Sequence, residues 1–305
     1  MKAMRSEHGT TLETYLAERK ALIEAALERF LPGVEGGPEI IHQAVRHSLF
    51  AGGKRLRPIL CVAAAEAVGG CGQDSLPCAC ALEMIHTYSL IHDDLPAMDN
   101  DDYRRGMPTS HRVFGEGIAI LAGDALLTEA FHLLSRPEFT KDDNTEKRLQ
   151  VINLIARAAG TAGMVGGQVM DLRGEGKTVA LETLEDMHRR KTGAMLTVSV
   201  VSGAILAGAT AVQTAALSRY GQDIGLAFQI ADDILNVTGD SFLMGKGTGS
   251  DLSRGKTTFP ALMGLEASRR RLTELVAEAA AHLAGFDHRA EPLRQIARYI
   301  MERNR

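Results

Sequence analysis

The sequence lacks the positive surplus that proteins binding nucleic acids usually carry. Its 305 residues include 34 lysines and arginines against 38 aspartates and glutamates, which gives a formal net charge of −4. We expect no nucleic-acid partner, because binding to a phosphate backbone depends mainly on positive side chains. Hydrophobic residues make up 45% of the chain, and this composition is ordinary for a globular protein.

Cysteine is also scarce, and its four positions lack the spacing of a zinc site. Cys78 and Cys80 form a C-x-C pair, whereas zinc sites use C-x2-C pairs or histidines at set spacing. We therefore expect small free thiols and a reducing compartment, the cytoplasm.

Long apolar runs are few. Residues 1–20 contain no apolar core, so we expect no secretory signal. Residues 195–212 come nearest to a membrane span, but they are rich in small residues and are interrupted by Gly203 and Gly208. We interpret this segment as a buried helix and expect no stable membrane anchor.

Helical periodicity dominates the rest of the chain. In residues 11–31 apolar side chains recur close to every 3.6 residues, and Pro32 and Gly33 end the pattern. Further helices are predicted at 39–53, 56–70, 76–95, 117–135, 145–160, 181–208, 215–240 and 259–283. Strand-like alternation, repeats and linkers are not found. We predict an all-α fold, a single large helical bundle formed by one domain over residues 1–305.

The first concentration of acidic side chains lies at the end of an apolar helix. Its members are Asp93, Asp94, Asp99, Asp101 and Asp102. The first three form a D-D-x4-D pattern, and carboxylates beside a core are costly unless they are paired or bind a metal. For the last two, ion pairs with the neighbouring Arg104 and Arg105 are the expected alternative.

The second concentration lies in residues 228–240. Asp232 and Asn236 share one helix face, and Asp233 lies one position further round. Nearly all candidate ligands in both clusters are oxygen donors, which favours a hard cation. A site with few carboxylates and room for water and phosphate favours Mg²⁺ over Ca²⁺.

Basic side chains lie near glycines or in short clusters in three segments, 52–58, 189–191 and 244–258. Glycine lets the backbone approach an anion, and arginine binds phosphate oxygens through its fork of donors. The third segment lacks the spacing and the preceding strand of a Walker P-loop. Together with the acidic clusters, these segments predict a site for two polyphosphates bridged by Mg²⁺.

Five segments resemble, in order, the motifs of the trans-isoprenyl diphosphate synthases, or polyprenyl synthetases. They are GGKRLRP, SLIHDDLPAMDNDDYRRG, GGQVMDL, RRKTGAM, and FQIADDILNVTGD with the GK and SDLSRGKTTFPAL that follow it. The resemblance extends from about residue 40 to the C-terminus and is strongest to bacterial farnesyl diphosphate synthases and their geranylgeranyl relatives. It implies the all-α bundle of the isoprenoid synthases, with a central cavity between helices, and a homodimer, which the apolar helix 118–134 also favours.

The resemblance implies a role for each matched side chain. Asp93 and Asp99 would ligate Mg²⁺ with Asp94 in support, and Asp232 would ligate a further Mg²⁺ with Asp233 and Gln229 in support. Three ions per site with substrate bound, replaceable by Mn²⁺, are implied. The allylic diphosphate would contact Arg104, Lys191, Lys246 and Lys256. Isopentenyl diphosphate would contact Lys54, Arg57, His86 and Arg105. The reacting centre would be lined by Thr192, Gln168, Asp171 and Gln229.

Two positions bear on metal binding and product length. Asn236 stands where the family commonly has a third aspartate, and it can accept a hydrogen bond but brings no charge. Tyr88 lies about 7 Å along the helix from Asp93, at ~1.5 Å per residue, with Ser89 beside it. A tyrosine that closes the pocket there predicts farnesyl diphosphate as the product. If it points into ordinary core instead, geranylgeranyl diphosphate is the alternative.

Three other functions fit the sequence less well. A class I terpene cyclase would not need the second diphosphate site that segment 52–58 indicates. The His92–Asp93 dipeptide of an HD-type phosphohydrolase is weak without upstream histidine ligands. A non-catalytic partner subunit could dispense with its metal aspartates, whereas this sequence keeps five of the six motif positions.

Overall fold

The structure is a computed structural model that describes residues 11–31, 33, 37–139, 144–238 and 256–302. It is 79% helical, which confirms the predicted all-α fold. The helices are α1 (Leu12–Phe30), α2 (Glu39–Leu49), α3 (Leu56–Ala67), α4 (Leu76–Asp93), α5 (Ser110–Phe114), α6 (Glu116–Ser135), α7 (Thr145–Ala159), α8 (Met164–Gly174), α9 (Leu181–His188), α10 (Ala194–Leu206), α11 (Ala211–Thr238), α12 (Phe259–Met263), α13 (Leu265–His282) and α14 (Glu291–Glu302).

Shorter elements connect these helices. Three are turns of 3-10 helix, at Gly72–Ser75, Pro137–Phe139 and His288–Ala290. A hairpin of two antiparallel strands, β1 (Tyr103–Arg104) and β2 (Met107–Pro108), follows the first acidic cluster. The prediction contained neither this hairpin nor α8 and α14.

Two predicted helices are each divided in the structure. The segment 181–208 contains a π-helical turn at Arg189–Gly193, so that α9 and α10 are separate. Such turns are frequent at functional sites. The segment 259–283 is divided at Gly264, whose φ of 82° is a conformation that helical residues do not adopt.

The core is built around α4 and α10, and its buried apolar side chains form one continuous cluster. Helix α4 packs mainly against α6 and α3, and α10 packs against α3, α11 and α7. The approach of α10 to α3 requires a glycine, because a Cβ on Gly203 would overlap the carbonyl of Cys61. The four cysteines are free thiols, as expected, and three of them are buried.

Helix α6 is the one described helix that is long and apolar enough to cross a membrane by length and composition. This corrects the expectation that residues 195–212 come nearest to a membrane span. The buried side chains of α6 include Ala122 and Leu126. Ile120 and Leu121 remain 43% and 54% exposed, so one apolar stretch of α6 faces outwards.

Candidate active site

The first acidic cluster lies where α4 ends. Asp93 is the last residue of the helix and Asp94 follows it as the C-cap. The chain then turns back, and the backbone N–H of Asp99 donates to the carbonyl of Asp93 at 2.8 Å. This turn brings the three motif aspartates onto one end of α4.

Arg104 is the principal partner of Asp94. Its Nε lies 2.7 and 2.9 Å from the two carboxylate oxygens of Asp94, and Nη2 lies 2.6 Å from one of them. Asp94 is buried, and Arg104 compensates its charge there. Removal of one partner of a buried ion pair costs about 3–5 kcal/mol, because the other charge is left uncompensated. The hairpin of β1 and β2 places Arg104 for this contact.

The outer aspartates of the segment pair differently from the prediction. Asp101 lies 3.6 Å from Arg104, as expected. Asp102 pairs with Arg112 at 2.6 Å, so the predicted pairing of Asp102 with Arg104 or Arg105 is wrong. Arg105 instead donates to the carbonyl of Gly52, which links the hairpin to the first basic segment.

Asp93 faces α8. Its Oδ1 accepts a hydrogen bond from the Gln168 amide at 2.7 Å. Burial raises the pKa of Asp93, Lys191 opposes this shift, and the neighbouring charge of Asp99 raises the pKa further. Two carboxylates that disfavour each other's charge are a suitable place for a cation.

Asp171 joins two lysines from distant parts of the chain. Lys191 Nζ lies 2.6 Å and Lys256 Nζ 3.0 Å from the same carboxylate oxygen. Burial acts to raise the pKa of Asp171, but the two lysines outweigh it and hold the pKa below its ordinary value. Lys256 also lies 3.6 Å from Asp99. The lysines therefore stand between Asp171 and the first acidic cluster.

The position of Lys191 depends on close packing of the π-helical turn against α8. A Cβ on Gly167 would overlap the backbone of Lys191. The next residue, Thr192, donates to Oε1 of Gln229 at 3.2 Å. These contacts bring Lys191 and Thr192 to the same region as α11.

The second acidic cluster lies on α11. Asp232 is partly exposed, whereas Asp233 is buried. Asp233 accepts hydrogen bonds from the Gln229 amide at 3.2 Å and from the backbone N–H of Phe259 at 3.0 Å. The two neighbouring aspartates thus have different surroundings.

Three of the side chains assigned to isopentenyl diphosphate, Arg57, Arg105 and His86, lie close enough to influence one another's charge. Burial lowers the pKa of Arg57 to about 10, and the nearby charge of Arg105 adds to this shift. Burial also lowers the pKa of His86 well below its ordinary value, helped by Arg57 and Arg105. His86 is therefore neutral at physiological pH. Lys54 lies 5.7 Å from the ring centre of Tyr299.

Arg55 is a structural residue to which the sequence interpretation gave no separate role. Its buried guanidinium pairs with Glu83 at 2.7 Å and donates to the carbonyl of Leu49 at 2.7 Å. Its φ of 52° is unusual for a residue with a side chain. Arg55 thereby fixes the loop that carries Lys54 and leads into α3, where Arg57 lies in the first turn. The positive run in segment 52–58 was the signal for it.

The donor atoms of the two clusters fit a hard divalent cation. The charged candidates are carboxylates, and the backbone hydrogen bond from Asp99 to Asp93 holds two of them at the same end of α4. Within the described residues, no group of three or more histidine, cysteine or acidic side chains could by itself hold a metal ion. A metal here would need oxygens from diphosphate and water. Lys246 lies outside the described residues.

Tyr88 is buried on α4 and faces α6. Its ring makes an edge-to-face contact with the ring of His92, with centres 5.7 Å apart. His92 in turn lies 2.9 Å from the carbonyl oxygen of Ile120, so this histidine serves helix packing. Ser89 donates to the carbonyl of His86 at 2.8 Å.

Comparisons with known proteins agree with this geometry. Residues 38–291 match the polyprenyl synthetase family. A geranylgeranyl diphosphate synthase of Cyanophora paradoxa is 50% identical over 96% of this chain and 97% of the relative. A farnesyl diphosphate synthase of Geobacillus stearothermophilus is 47% identical over 96% and 98%.

Among solved structures, an FPP/GFPP synthase from Zymomonas mobilis superposes with a TM-score of 0.84 at 40% identity, covering 95% of this chain and 98% of that one. The isoprenoid synthase fold is thereby confirmed. The chain belongs to the polyprenyl synthetase family and is a trans-prenyl diphosphate synthase, a prenyltransferase that acts on isoprenoid diphosphates.

Proposed function

We propose that the chain condenses isopentenyl diphosphate with dimethylallyl or geranyl diphosphate and releases farnesyl diphosphate. The proposed product length rests on the position of Tyr88, which is buried on α4 on the side facing α6. An allylic tail that starts at the acidic end of α4 and extends along the helix would meet this ring about 7 Å away, at ~1.5 Å per residue.

Ionisation of the allylic substrate is the first step. The bond between the allylic carbon and oxygen breaks, and its electron pair leaves with the diphosphate. Lys191 and Lys256, which converge on Asp171, supply positive charge where the leaving group becomes negative. Charge held in place before the reaction lowers the barrier most effectively.

Mg²⁺, or Mn²⁺ in its place, would add positive charge at the same leaving group when bound. The family generally uses a divalent metal. We assign three Mg²⁺ ions to the complex with substrate. Asp93, Asp99 and Asp232 are the carboxylates proposed to hold them, with Asp94 supporting through its pairing with Arg104.

Carbon–carbon bond formation follows. The double-bond electrons of isopentenyl diphosphate attack the allylic cation, and a proton is then lost to the departed diphosphate. Arg57, Arg105 and neutral His86 would orient the attacking substrate through its own diphosphate. No protein base is required, and the packing contact of His92 agrees with this.

The names of the relatives do not distinguish between the two product lengths. Relatives with nearly equal identity are named for geranylgeranyl and for farnesyl diphosphate. Geranylgeranyl diphosphate is thus the second candidate product. A ring at position 88 that closes the pocket favours the shorter one.

A product assay with a matched pair of variants tests the proposal. The purified chain is incubated with isopentenyl diphosphate, Mg²⁺ and dimethylallyl, geranyl or farnesyl diphosphate. We expect fifteen-carbon product from the two shorter primers and no extension of farnesyl diphosphate. Tyr88→Ser should add twenty-carbon product, whereas Tyr103→Ser, at a 63% exposed position, should not. Twenty-carbon product from the wild type would refute the farnesyl assignment, and no product would refute the activity.

We also propose a homodimer that covers the outward apolar stretch of α6. Ile120 and Leu121 are large side chains that are close to half exposed, and such a patch favours an interface. Leu121→Asp should shift the sedimentation coefficient to that of a monomer. Val212→Asp, at an 80% exposed site on α11, should leave it unchanged.

A further inference from the structure

Asp233, Phe259 and His188 meet in the core beside the two lysines that contact Asp171. They are 3%, 0% and 6% exposed, respectively. Asp233 accepts from the backbone N–H of Phe259 at 3.0 Å. The ring of His188 stacks on that of Phe259, with centres 5.6 Å apart and planes inclined by 24°.

The imidazole ring of His188 is neutral, and its role here is packing and not proton transfer. Burial lowers its pKa to about 3, although the charge of Asp171 acts in the opposite direction. Within the described residues, neither ring nitrogen has a hydrogen-bond partner, and Nε2 lies 3.9 Å from Asp233, beyond hydrogen-bond distance. The contact that His188 makes from this position is therefore the stacking of its ring on Phe259.

Each ring of this stack is joined through a short piece of backbone to one lysine of the site. His188 precedes Lys191 by three residues, and Phe259 follows Lys256 by three. The two lysines are distant in sequence, yet both reach one oxygen of Asp171, at 2.6 and 3.0 Å. The spacing of the lysines thus depends on how the two backbone segments are held together.

We propose that Asp233, His188 and Phe259 form a buried clamp that sets the positions of Lys191 and Lys256, and that Asp233 acts as a positioning residue, not as a metal ligand. The inference rests on the proposed function, in which these lysines bind the allylic diphosphate. It separates Asp233 from Asp232, which keeps its assigned place at the metal.

The hydrogen bonds of Asp233 support this separation. One carboxylate oxygen is engaged by Gln229 and the other by the Phe259 backbone. The second bond spans 26 residues and ties α11 to the first turn of α12. Asp233 is only 3% exposed, so a cation could reach it only if the surrounding core opened. Loss of the contact with Phe259 would then leave a buried backbone N–H without a partner, which costs free energy.

Metal binding, measured apart from catalysis, tests the role of Asp233. Mn²⁺ is titrated into the protein with inorganic diphosphate present, and free Mn²⁺ is followed by electron paramagnetic resonance. Asp232→Asn should weaken Mn²⁺ binding at least about tenfold. Asp233→Asn keeps an acceptor for Phe259 and should stay within about twofold of the wild type. Equal weakening in both variants would overturn the inference.

Ligand affinity tests the role of His188. The affinity for the thiolo analogue of geranyl diphosphate, which does not ionise readily, is measured by calorimetry. His188→Ala should weaken it about tenfold through displaced lysines, whereas His188→Phe, which keeps the stack, should stay within about twofold of the wild type. The KM for isopentenyl diphosphate should remain unchanged in both variants.

The outcomes separate the clamp from the proposed function. If His188→Phe weakens the analogue as much as His188→Ala, or if both substrates are affected equally in His188→Ala, the clamp is wrong. If the wild type binds the analogue with the expected variant pattern but makes no product, the proposed function fails and the clamp stands.

Discussion

The two acidic segments of the site, residues 93–99 and 232–236, differ in which groups donate hydrogen bonds to their carboxylates. In the first, the partners are side chains from other elements, Arg104 from the hairpin and Gln168 from α8. In the second, buried Asp233 is held by a backbone N–H and a neighbouring amide on its own helix. In the first segment the donor side chains can rotate away and leave the carboxylates to ligands, whereas the Phe259 N–H cannot turn away from Asp233 unless the backbone moves.

The difference shows that similar sequence patterns serve different purposes in one site. Two consecutive aspartates at the end of α4 divide into Asp93, close to the charge of Asp99, and Asp94, paired with Arg104. The pair on α11 divides into a partly exposed and a buried member. In each pair we assign one carboxylate to the metal directly and the other to support of the surrounding structure.

The largest effect is expected from removing a metal carboxylate of the first segment. Asp93→Asn should lower kcat/KM for the allylic substrate by about 10³-fold, because transition-state charge loses its compensation. The measurement is steady-state kinetics with geranyl diphosphate. Asp102→Asn removes an aspartate of the same segment whose ion pair with Arg112 is exposed, and it should remain within about twofold of the wild type.

A smaller loss is expected when the partner of Asp94 is altered but its charge is kept. Arg104→Lys removes the multiple hydrogen bonds to a buried carboxylate and should lower kcat/KM about tenfold. Arg112→Lys, at an exposed pair, is the control and should leave the kinetics unaltered. Similar losses in both variants would mean that the buried pair has no special role.

The ion pairs of Asp171 with Lys191 and Lys256 should make a pH-dependent contribution to the free energy of unfolding. Lys191 and Lys256 hold the pKa of Asp171 below 3.8, its ordinary value, against the effect of burial. A depressed pKa stabilises the folded state above the unfolded pKa, and this contribution is lost as the pH falls through the folded pKa. At pH 7 the wild type should exceed Asp171→Asn in free energy of unfolding by about 2 kcal/mol.

This difference should shrink progressively as the pH falls below 3.8. Urea denaturation of both proteins across that range is the measurement. A difference that stays constant with pH would show that the pairing contributes nothing through its charge.

The smallest effect is expected from restoring the missing carboxylate of the second segment. Asn236→Asp should lower the Mg²⁺ concentration for half-maximal activity by less than about threefold, because Asn already offers a carbonyl acceptor. A reduction of tenfold or more would identify position 236 as a direct metal ligand and would weaken the contrast between the segments.

The helical fold could be predicted because apolar spacing leaves a regular signal along the chain. Apolar spacing indicated the long helices, and α1 occupies Leu12–Phe30 within the predicted 11–31. The π-helical turn left no such signal, because its residues, RRKTG at 189–193, include no apolar side chain whose spacing could reveal the turn. Its form depends on packing against α8 and α11, where Gly167 and Gly225 allow close approach.

Site residues were predictable by type but not by partner. That Lys191 and Lys256 share Asp171 follows from the tertiary fold, as does the pairing of Asp102 with Arg112. The separate surroundings of Asp232 and Asp233 could not be inferred either, because neighbouring helix positions differ in burial only once the packing of α12 is known.

The most direct test is a crystal structure of the complex with Mg²⁺, isopentenyl diphosphate and the thiolo analogue of geranyl diphosphate. We expect metal ions bonded to Asp93, Asp99 and Asp232 around the allylic diphosphate, with Lys191 and Lys256 on its oxygens. Asp233 should still accept from the Phe259 backbone. A metal bonded to Asp233 with that hydrogen bond broken, or a diphosphate that contacts neither lysine, would contradict this expectation.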